Sequence, residues 1–548
     1  MSHTPVNIYP MNTTDPSDPI AILDDLFSPK ALASYDTIGT LVAEYEAIAA
    51  TIDQICGFMS KELRATMRYF IDGNGTRDSR QVGPGELFQR EGAIGALDSD
   101  FWGRAMAKTG LLDLMPQKRR DDWATAIRDR KCPHFEEKIV RDTFADLMAC
   151  RVKFLAERVD GIFRGLSGEH VTNQPQGFGR RMIIAGVTGM YDFQKQGLIN
   201  DLRCVIAKFM RRDEPRHDAS SGLIRSLKGT YGGWVPVDGG ALKIRLYMKG
   251  TAHLEVHPDM AWRLNTILHT LYPKAIAPQH RERPLRKAKD VALLQRLLPF
   301  EVIDVLVNLK EATEYIPTGD FRQPYQHKRI HNSLALSGSH NYGKAVTAQV
   351  SEVLESIGGI ETKHGWQFDY PPQPVLNRII ALGSIPDEKA HQFYPTPEKI
   401  AQDCVNLAQI GENDHCLEPQ AGLGGIACKM PKDRTLCVEI SKVRCDVLAG
   451  RGFNVICADF LQWATDNRFK QFNCIVMNPP FDQQRWRAHL EAAASLLAPK
   501  GRLVAVLPSG AKNKGQLLPG FRYEFPLHFE NGFAGTGQDV VVLLATRN

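Results

Sequence analysis

The chain has 548 residues, 43% hydrophobic and 24% charged, with 67 Lys and Arg against 62 Asp and Glu. That length excludes a single hydrophobic core and suits about two to four domains, while a net charge of +5 neither demands nor excludes a polyanionic partner. The eleven cysteines form no C-x-x-C pair and no zinc-like spacing, and no stretch approaches the roughly 20 apolar residues of a membrane span, so we expect a reduced, cytoplasmic protein with no structural metal and no membrane insertion.

Residues 1–34 are rich in Pro, Asp, Ser and Thr and are expected to form a flexible arm. A helical region is predicted over 35–180. Within it Ile38, Leu41, Tyr45, Ile48, Ile52, Ile55 and Met59 recur at steps of three and four. Three heptads permit a homodimer seam through the 38–59 helix; packing in an intramolecular bundle is the simpler alternative. Further on, Phe144, Leu147, Met148, Leu155, Val159, Ile162 and Phe163 mark another buried helical face.

From about residue 181 the texture changes to short β-rich runs, "RRMIIAGV", "GGWVPV", "LKIRLYM" and "TAHLEV", among helices such as 259–271 and 299–312. This predicts an α+β module over 181–375, closed by the prolines of "WQFDYPPQP", followed by a linker over 376–391. His253 and His257 share one alternating run without a third ligand nearby, so packing is a better reading for them than metal binding.

The stretch 392–548 has another grammar. Apolar runs end at Glu418, Glu439, Asp459 and Asn478, which lie 21, 20 and 19 residues apart. About 20 residues is what a strand, a helix and two short loops require, so consecutive βαβ units of a parallel sheet are predicted, with all four residues at one carboxyl edge. The last residues, "FENGFAGTGQDVVVLLATRN", read as an antiparallel hairpin around Gly535-Thr536-Gly537.

The first edge reads Leu417-Glu418-Pro419-Gln420-Ala421-Gly422-Leu423-Gly424-Gly425. Glycines in a strand-to-helix turn let a ligand approach the backbone. Glu439, ending "TLCVEI" before Ile440, stands where a carboxylate accepts hydrogen bonds from ribose hydroxyls. Asp459 is placed for the exocyclic amine of an adenine, and Phe460 to pack on its ring. The full G-x-G-x-x-G and P-loop patterns are missing, which argues against NAD and ATP and favours S-adenosylmethionine.

These stretches, with Phe393-Tyr394-Pro395-Thr396-Pro397 before them and Asn478-Pro479-Pro480-Phe481 after, resemble the ordered motifs of class I S-adenosylmethionine-dependent N6-adenine DNA methyltransferases over about 155 residues. The resemblance implies a Rossmann-like methyltransferase domain over 392–548, a parallel sheet with a terminal antiparallel hairpin. It implies that Tyr394, Thr396 and Pro397, with the turn from Glu418 through Pro419, Ala421 and Gly422 to Gly424, surround the methionine moiety. Glu439 with Ile440 would hold the ribose, and Asp459 with Phe460 the adenine. Gln420 departs from the small Ser or Asn usual there.

Neither Pro479 nor Pro480 can donate a backbone hydrogen bond, so regular pairing stops at this tetrapeptide and carbonyls are left free. If the Asn478 side-chain oxygen and the Pro479 carbonyl accept both N–H bonds of an adenine amine, its lone pair is turned out of the ring system; Phe481 can stack on the target. Direct in-line transfer without metal or covalent enzyme intermediate is expected. An adenine inside double-stranded DNA would have to be flipped out. Methylation of RNA bases or protein glutamine uses the same tetrapeptide, and a DNA-binding antirestriction or scaffold protein with an inactive domain is the alternative from another class.

Basic residues cluster in "QKRR" (117–120), "KFMRRDEPRH" (208–217), "RERPLRKAK" (281–289) and "RQPYQHKRIH" (322–331), a composition suited to DNA phosphates. The stretches "YDFQKQGLINDLRCVIAKFM" and "GGALKIRLYMKGTAHLEVHPDMAWRLNTIL" resemble domain of unknown function 4942, a module often attached to methyltransferases of mobile elements, over roughly 100–280.

Overall fold

A computed structural model describes residues 35–74, 87–166, 168, 170, 172–173, 176–189, 192–283, 293–294, 296–320, 323–337, 342–385, 394–533 and 537–547. The expected arm over 1–34, Phe393, most of 281–289 and the hairpin tip at Gly535 and Thr536 lie outside them. The chain divides into two compact units, one ending at Leu293 and one beginning at Leu294.

The first unit opens with helices α1 (Tyr35–Phe58), α2 (Lys61–Asn74), α3 (Arg90–Thr109), α4 (Leu111–Leu114), α5 (Gln117–Arg128), α6 (Glu137–Ala149) and α7 (Arg151–Gly165). The heptad positions of α1 divide between two environments. Leu41, Val42 and Tyr45 are buried in a core with Phe101, Trp102 and Phe135, whereas Ile48, Ile55 and Phe58 stay exposed. Tyr45 Oη donates to Asp98 Oδ1 at 2.8 Å, which satisfies the polar tip of a buried ring.

Strands β1 (Arg181–Ile184), β2 (Val235–Val237), β3 (Leu242–Leu246) and β4 (Ala252–Val256) follow, with helices α8 (Phe193–Phe209), α9 (Ala219–Leu227) and α10 (Pro258–Leu271). The strands form an antiparallel sheet in the order β1-β4-β3-β2, and the alternating burial of β3 and β4 puts one face on the helices. His257 caps α10, its Nδ1 accepting from the Asp259 N–H at 3.2 Å, and His253 packs on Tyr247 with ring centroids 4.6 Å apart.

Two of the basic clusters turn inward here. Arg120 is buried and donates to Asp201 Oδ1 at 3.1 Å, and Arg119 holds Glu157 at 2.8 Å. In the other cluster Lys208 pairs with Glu214 at 2.7 Å, and Glu214 also accepts from Arg158 at 2.8 Å. These bases neutralise the buried carboxylate of Asp201 and the half-buried ones of Glu157 and Glu214, which sequence clustering alone does not reveal.

The second unit begins with α11 (Phe300–Asn308), shorter than the predicted 299–312. Next come β5 (Thr313–Asp320) and β6 (Gln323–Arg329), which pair only with each other. A small sheet of β7 (Ser333–Leu334), β8 (Ile360–Thr362) and β9 (Gly365–Gln367) comes after them, with α12 (Lys344–Ser356) and α13 (Gln373–Leu382). Two boundary expectations are corrected. The 376–391 stretch is no linker where it is described, because α13 runs through it with Leu376, Ile379 and Ile380 buried. Pro372 is the N-cap residue of α13 and Pro374 lies in its first turn, where no N–H is needed, so these prolines start a helix instead of ending structure. The unit boundary also falls at 293, within the module expected over 181–375. Residues 294–382 belong with the C-terminal part of the chain because Arg451 binds Asp369 at 2.9 Å and packs over Tyr370, and Arg378 binds Asp446.

The main sheet contains β10 (Cys416–Glu418), β11 (Thr435–Glu439), β12 (Asn454–Cys457), β13 (Phe472–Met477), β14 (Leu497–Pro508), β15 (Phe521–Phe529) and β16 (Val540–Arg547) in the order β12-β11-β10-β13-β14-β16-β15. Strands β10 to β14 are parallel, and β16 runs antiparallel between β14 and β15. Helices α14 (Glu398–Ala408), α15 (Lys442–Gly450), α16 (Phe460–Asp466) and α17 (Arg485–Ser495) accompany it. β10 and β13 are buried almost throughout, as strands covered on both faces require. Cys437 and Cys474 are buried in the sheet, whereas Cys457 on the edge strand β12 is exposed. The strand order reverses between β10 and β13, and at this point a crevice opens beyond the carboxyl ends.

Candidate active site

That crevice is a cavity of about 930 Å³ lined by Glu418, Glu439, Asp459 and Asn478, each from a different strand edge. Tyr394, Thr396, Pro419, Ala421, Gly424, Ile440, Phe460, Pro479, Pro480 and Phe481 also line it, whereas Pro397 and Gly422 do not. Pro397 is the N-cap residue of α14, and Gly422 acts from behind the wall, donating its N–H to Glu439 Oε2 at 2.8 Å.

The glycine turn is tight. Gly424 N–H donates to the Ala421 carbonyl at 2.7 Å, and Gly424 itself has φ +87°. A Cβ at Gly424 would come within 2.9 Å of Leu448 Cδ2, so the positive φ, and secondarily the space, favour glycine. Arg451 donates to the Leu423 carbonyl and ties this loop to Asp369.

The two glutamates differ. Glu439 is 5% exposed and fully held: Gly422 N–H and Ser441 N–H each donate at 2.8 Å to one of its oxygens, and Arg444 stands 3.8 Å away. Glu418 is 2% exposed, and its Oε2 has no hydrogen-bond partner. Burial, and secondarily the Glu439 charge, push its carboxyl well above the usual range. A buried orphan acceptor at a cavity wall is a place for a donor, above all a cationic one.

Asn478 is pinned by one half of its amide. Nδ2 donates to Thr396 Oγ1 at 3.1 Å and to the Tyr394 carbonyl at 3.5 Å, while no hydrogen bond within the described residues uses Oδ1. Thr396 therefore positions Asn478 as well as lining the cavity. Pro479 is buried, and Phe481 is half-buried with its ring edge-on to Phe533 at 6.1 Å. Asp459 caps α16, accepting from Gln462 N–H at 3.1 Å, and stays exposed. The Phe460 ring is largely buried, packed with Trp463 and stacked at 5.9 Å on His489, which lines the same cavity.

His489, on α17, is a cavity residue that sequence reasoning missed. It sits between Trp486 and Leu490 in an apolar face, so nothing in the pattern separates it from a core position. Its Nδ1 lies 2.7 Å from Gln420 Nε2, which gives the unusual glutamine a structural partner. Burial pushes its imidazole down from 6.5 to about 4, against the opposing pull of Asp459. The unfolded chain takes up this proton near pH 6.5 and the folded chain only near 4, so stability is full above 6.5 and is lost as pH falls through that window. The slope is at most about 1.4 kcal/mol per pH unit. His489→Gln is expected to flatten the decline, read as urea midpoints across the window.

Among the described residues no helix is long and apolar enough to cross a membrane, and no group of three or more His, Cys, Asp or Glu could hold a metal ion. No curated protein matches the chain. Among solved structures the chain is similar to TrmN from Thermus thermophilus, at 20% identity over 27% of this chain and 48% of that one, with a TM-score of 0.23. The chain thus spans about half of the TrmN length. It is also similar to a structure of the type I R-M system (19% identity, 29% and 43% covered, TM-score 0.25) and to precorrin-6y C5,15-methyltransferase from Geobacter metallireducens GS-15 (11% identity, 30% and 95% covered, TM-score 0.24). Residues 94–274, all in the first unit, match the family described as domain of unknown function DUF4942.

Proposed function

We propose that the chain transfers the methyl group of S-adenosylmethionine to the N6 amine of an adenine flipped out of DNA, with residues 392–548 acting as a Rossmann-like methyltransferase domain. The observation that carries this reading is the half-engaged amide of Asn478: Thr396 holds its nitrogen, and its oxygen is left for a substrate N–H. An adenine amine is a weak nucleophile because its lone pair is delocalised into the ring. With Asn478 Oδ1 and the Pro479 carbonyl accepting its two N–H bonds, the nitrogen is drawn toward tetrahedral geometry and positive charge developing on it is stabilised. Phe481, held edge-on by Phe533, offers its face to the flipped ring.

The opposite wall suits the cofactor. S-adenosylmethionine supplies an electrophilic methyl on a sulfonium. Glu418 Oε2, which has no partner, would accept from its ammonium, and the glycine turn would let the methionine moiety approach the backbone. Glu439, oriented by Gly422 and Ser441, keeps lone pairs for ribose hydroxyls, and exposed Asp459 for the adenine amine.

The test is label transfer from S-adenosylmethionine to unmethylated plasmid DNA, with RNA and glutamine peptides in parallel and N6-methyladenine mapped by sequencing. Label on DNA adenine is the expected result. Label on RNA or peptide alone would move the acceptor, and cofactor binding without any transfer would favour a scaffold or antirestriction role.

A further inference from the structure

The ribbon β5–β6 is the part of the second unit that the catalytic reading leaves unused. Among the described residues it is a two-stranded sheet joined to no other strand, and an isolated hairpin in water is marginally stable, so its own core does not explain it. Its register sorts the side chains by face. Thr313 pairs with Arg329, Tyr315 with His327, and Pro317 with Tyr325, so these six share one face; Glu314–Lys328 and Ile316–Gln326 lie on the other.

The pairs Thr313–Arg329, Tyr315–His327 and Pro317–Tyr325 of the first face carry no carboxylate. Tyr315 is 61% exposed and Tyr325 53%, while the Arg329 side chain is 83% exposed, with Glu311 at 3.8 Å. His327 packs edge-on to Tyr315 with centroids 4.6 Å apart, holding that ring upright. The acidic residue of the opposite face, Glu314, stands 3.9 Å from His364. Two exposed rings on adjacent cross-strand pairs, about 7–8 Å apart on the diagonal, next to an exposed guanidinium make a platform on which successive bases stack while the cation meets the phosphates. A protein partner would gain little from a face with so few aliphatic groups, and the charge is of the sign a polyanion requires.

We infer that the Tyr315–Tyr325–His327–Arg329 face of this ribbon binds a single nucleic-acid strand, stacking unpaired bases on the two tyrosines. The inference rests on the proposed function only in taking DNA as the polymer. It adds a contact away from the target pocket, for bases unpaired beside the methylated one.

The experiment is fluorescence anisotropy of the full chain with labelled oligothymidine, which contains no adenine, and with a duplex of mixed sequence, without cofactor. Tyr315→Ala/Tyr325→Ala is expected to weaken oligothymidine binding by about tenfold or more, and Arg329→Gln to lower the salt dependence. Gln326→Ala, on the other face, should match wild type. All these residues are exposed, so unchanged circular dichroism is expected. Oligothymidine binding that the double variant leaves intact, or a preference for the duplex, would overturn the inference. So would wild-type self-association that the double variant abolishes without any loss of DNA binding, which would assign the face to a second copy of the chain. Because the probe lacks adenine, failure of methyl transfer leaves this result standing, and the reverse holds too.

Discussion

Asn478→Ala is expected to lower turnover of methyl transfer by about 10²–10³-fold, the cost of removing one preorganised acceptor from a transition state, while leaving S-adenosylmethionine affinity nearly unchanged. The reasoning is positional. Asn478 follows β13, the strand on the far side of the switch point from β11 and β12, whereas the carboxylates proposed for the cofactor stand at the ends of β10, β11 and β12. Loss of its oxygen should thus appear in turnover and spare binding. Thr396→Val adds a second arm. It removes the Oγ1 that holds Asn478 Nδ2 at 3.1 Å and leaves the amide free to turn. The expected loss is about tenfold, the worth of one hydrogen bond in orientation, and Thr396→Ser should restore most of it. Labelled methyl transfer measured beside calorimetric cofactor binding separates these effects. Turnover of Asn478→Ala close to wild type would remove Asn478 from the chemistry.

The parts of the fold that were legible in the sequence are those in which one local rule dominates. Glu418, Glu439, Asp459 and Asn478 follow strands of a parallel sheet and reach one cavity because a βαβ repeat fixes both spacing and direction. The turn at Gly424 was legible because a positive φ and the approach of Leu448 both favour glycine there. Failures arose where two rules read the same residues. Prolines 372 and 374 break a strand but begin a helix, and only the buried stripe of Leu376, Ile379 and Ile380 decides between them. The pairing of His489 with Gln420 spans 69 positions, and no periodicity connects them. The cluster at 117–120 is ambiguous for a related reason: whether Arg120 meets phosphate or Asp201 depends on a helix 81 residues away.

Glu418→Gln is expected to stabilise the protein at alkaline pH and to weaken S-adenosylmethionine binding by about 10–100-fold, the worth of a buried charge-assisted hydrogen bond. Burial raises the Glu418 carboxyl well above its ordinary value, so the folded chain holds this proton where the unfolded chain has lost it. Its contribution to stability is then full below the unfolded value, near 4.5, and is lost as pH rises through the folded value. Glutamine, neutral at every pH, removes that loss, and the variant should gain most over wild type above the folded value. Binding runs the other way. An ammonium beside Glu418 favours the carboxylate, so wild-type affinity should rise with pH across the same window and binding should release a proton. The variant should show neither the slope nor the proton. Calorimetry in buffers of different ionisation enthalpy, over about pH 5.5–8.5, reads affinity and proton release together, and melting curves over the same range read stability. A variant that gains stability yet binds the cofactor as tightly as wild type would mean that the orphan oxygen serves something other than the ammonium. A variant that binds weakly but gains no alkaline stability would mean that the wild-type carboxylate is not destabilised in its buried site. The two changes together would mean that the same unpartnered oxygen destabilises the empty fold and binds the cofactor.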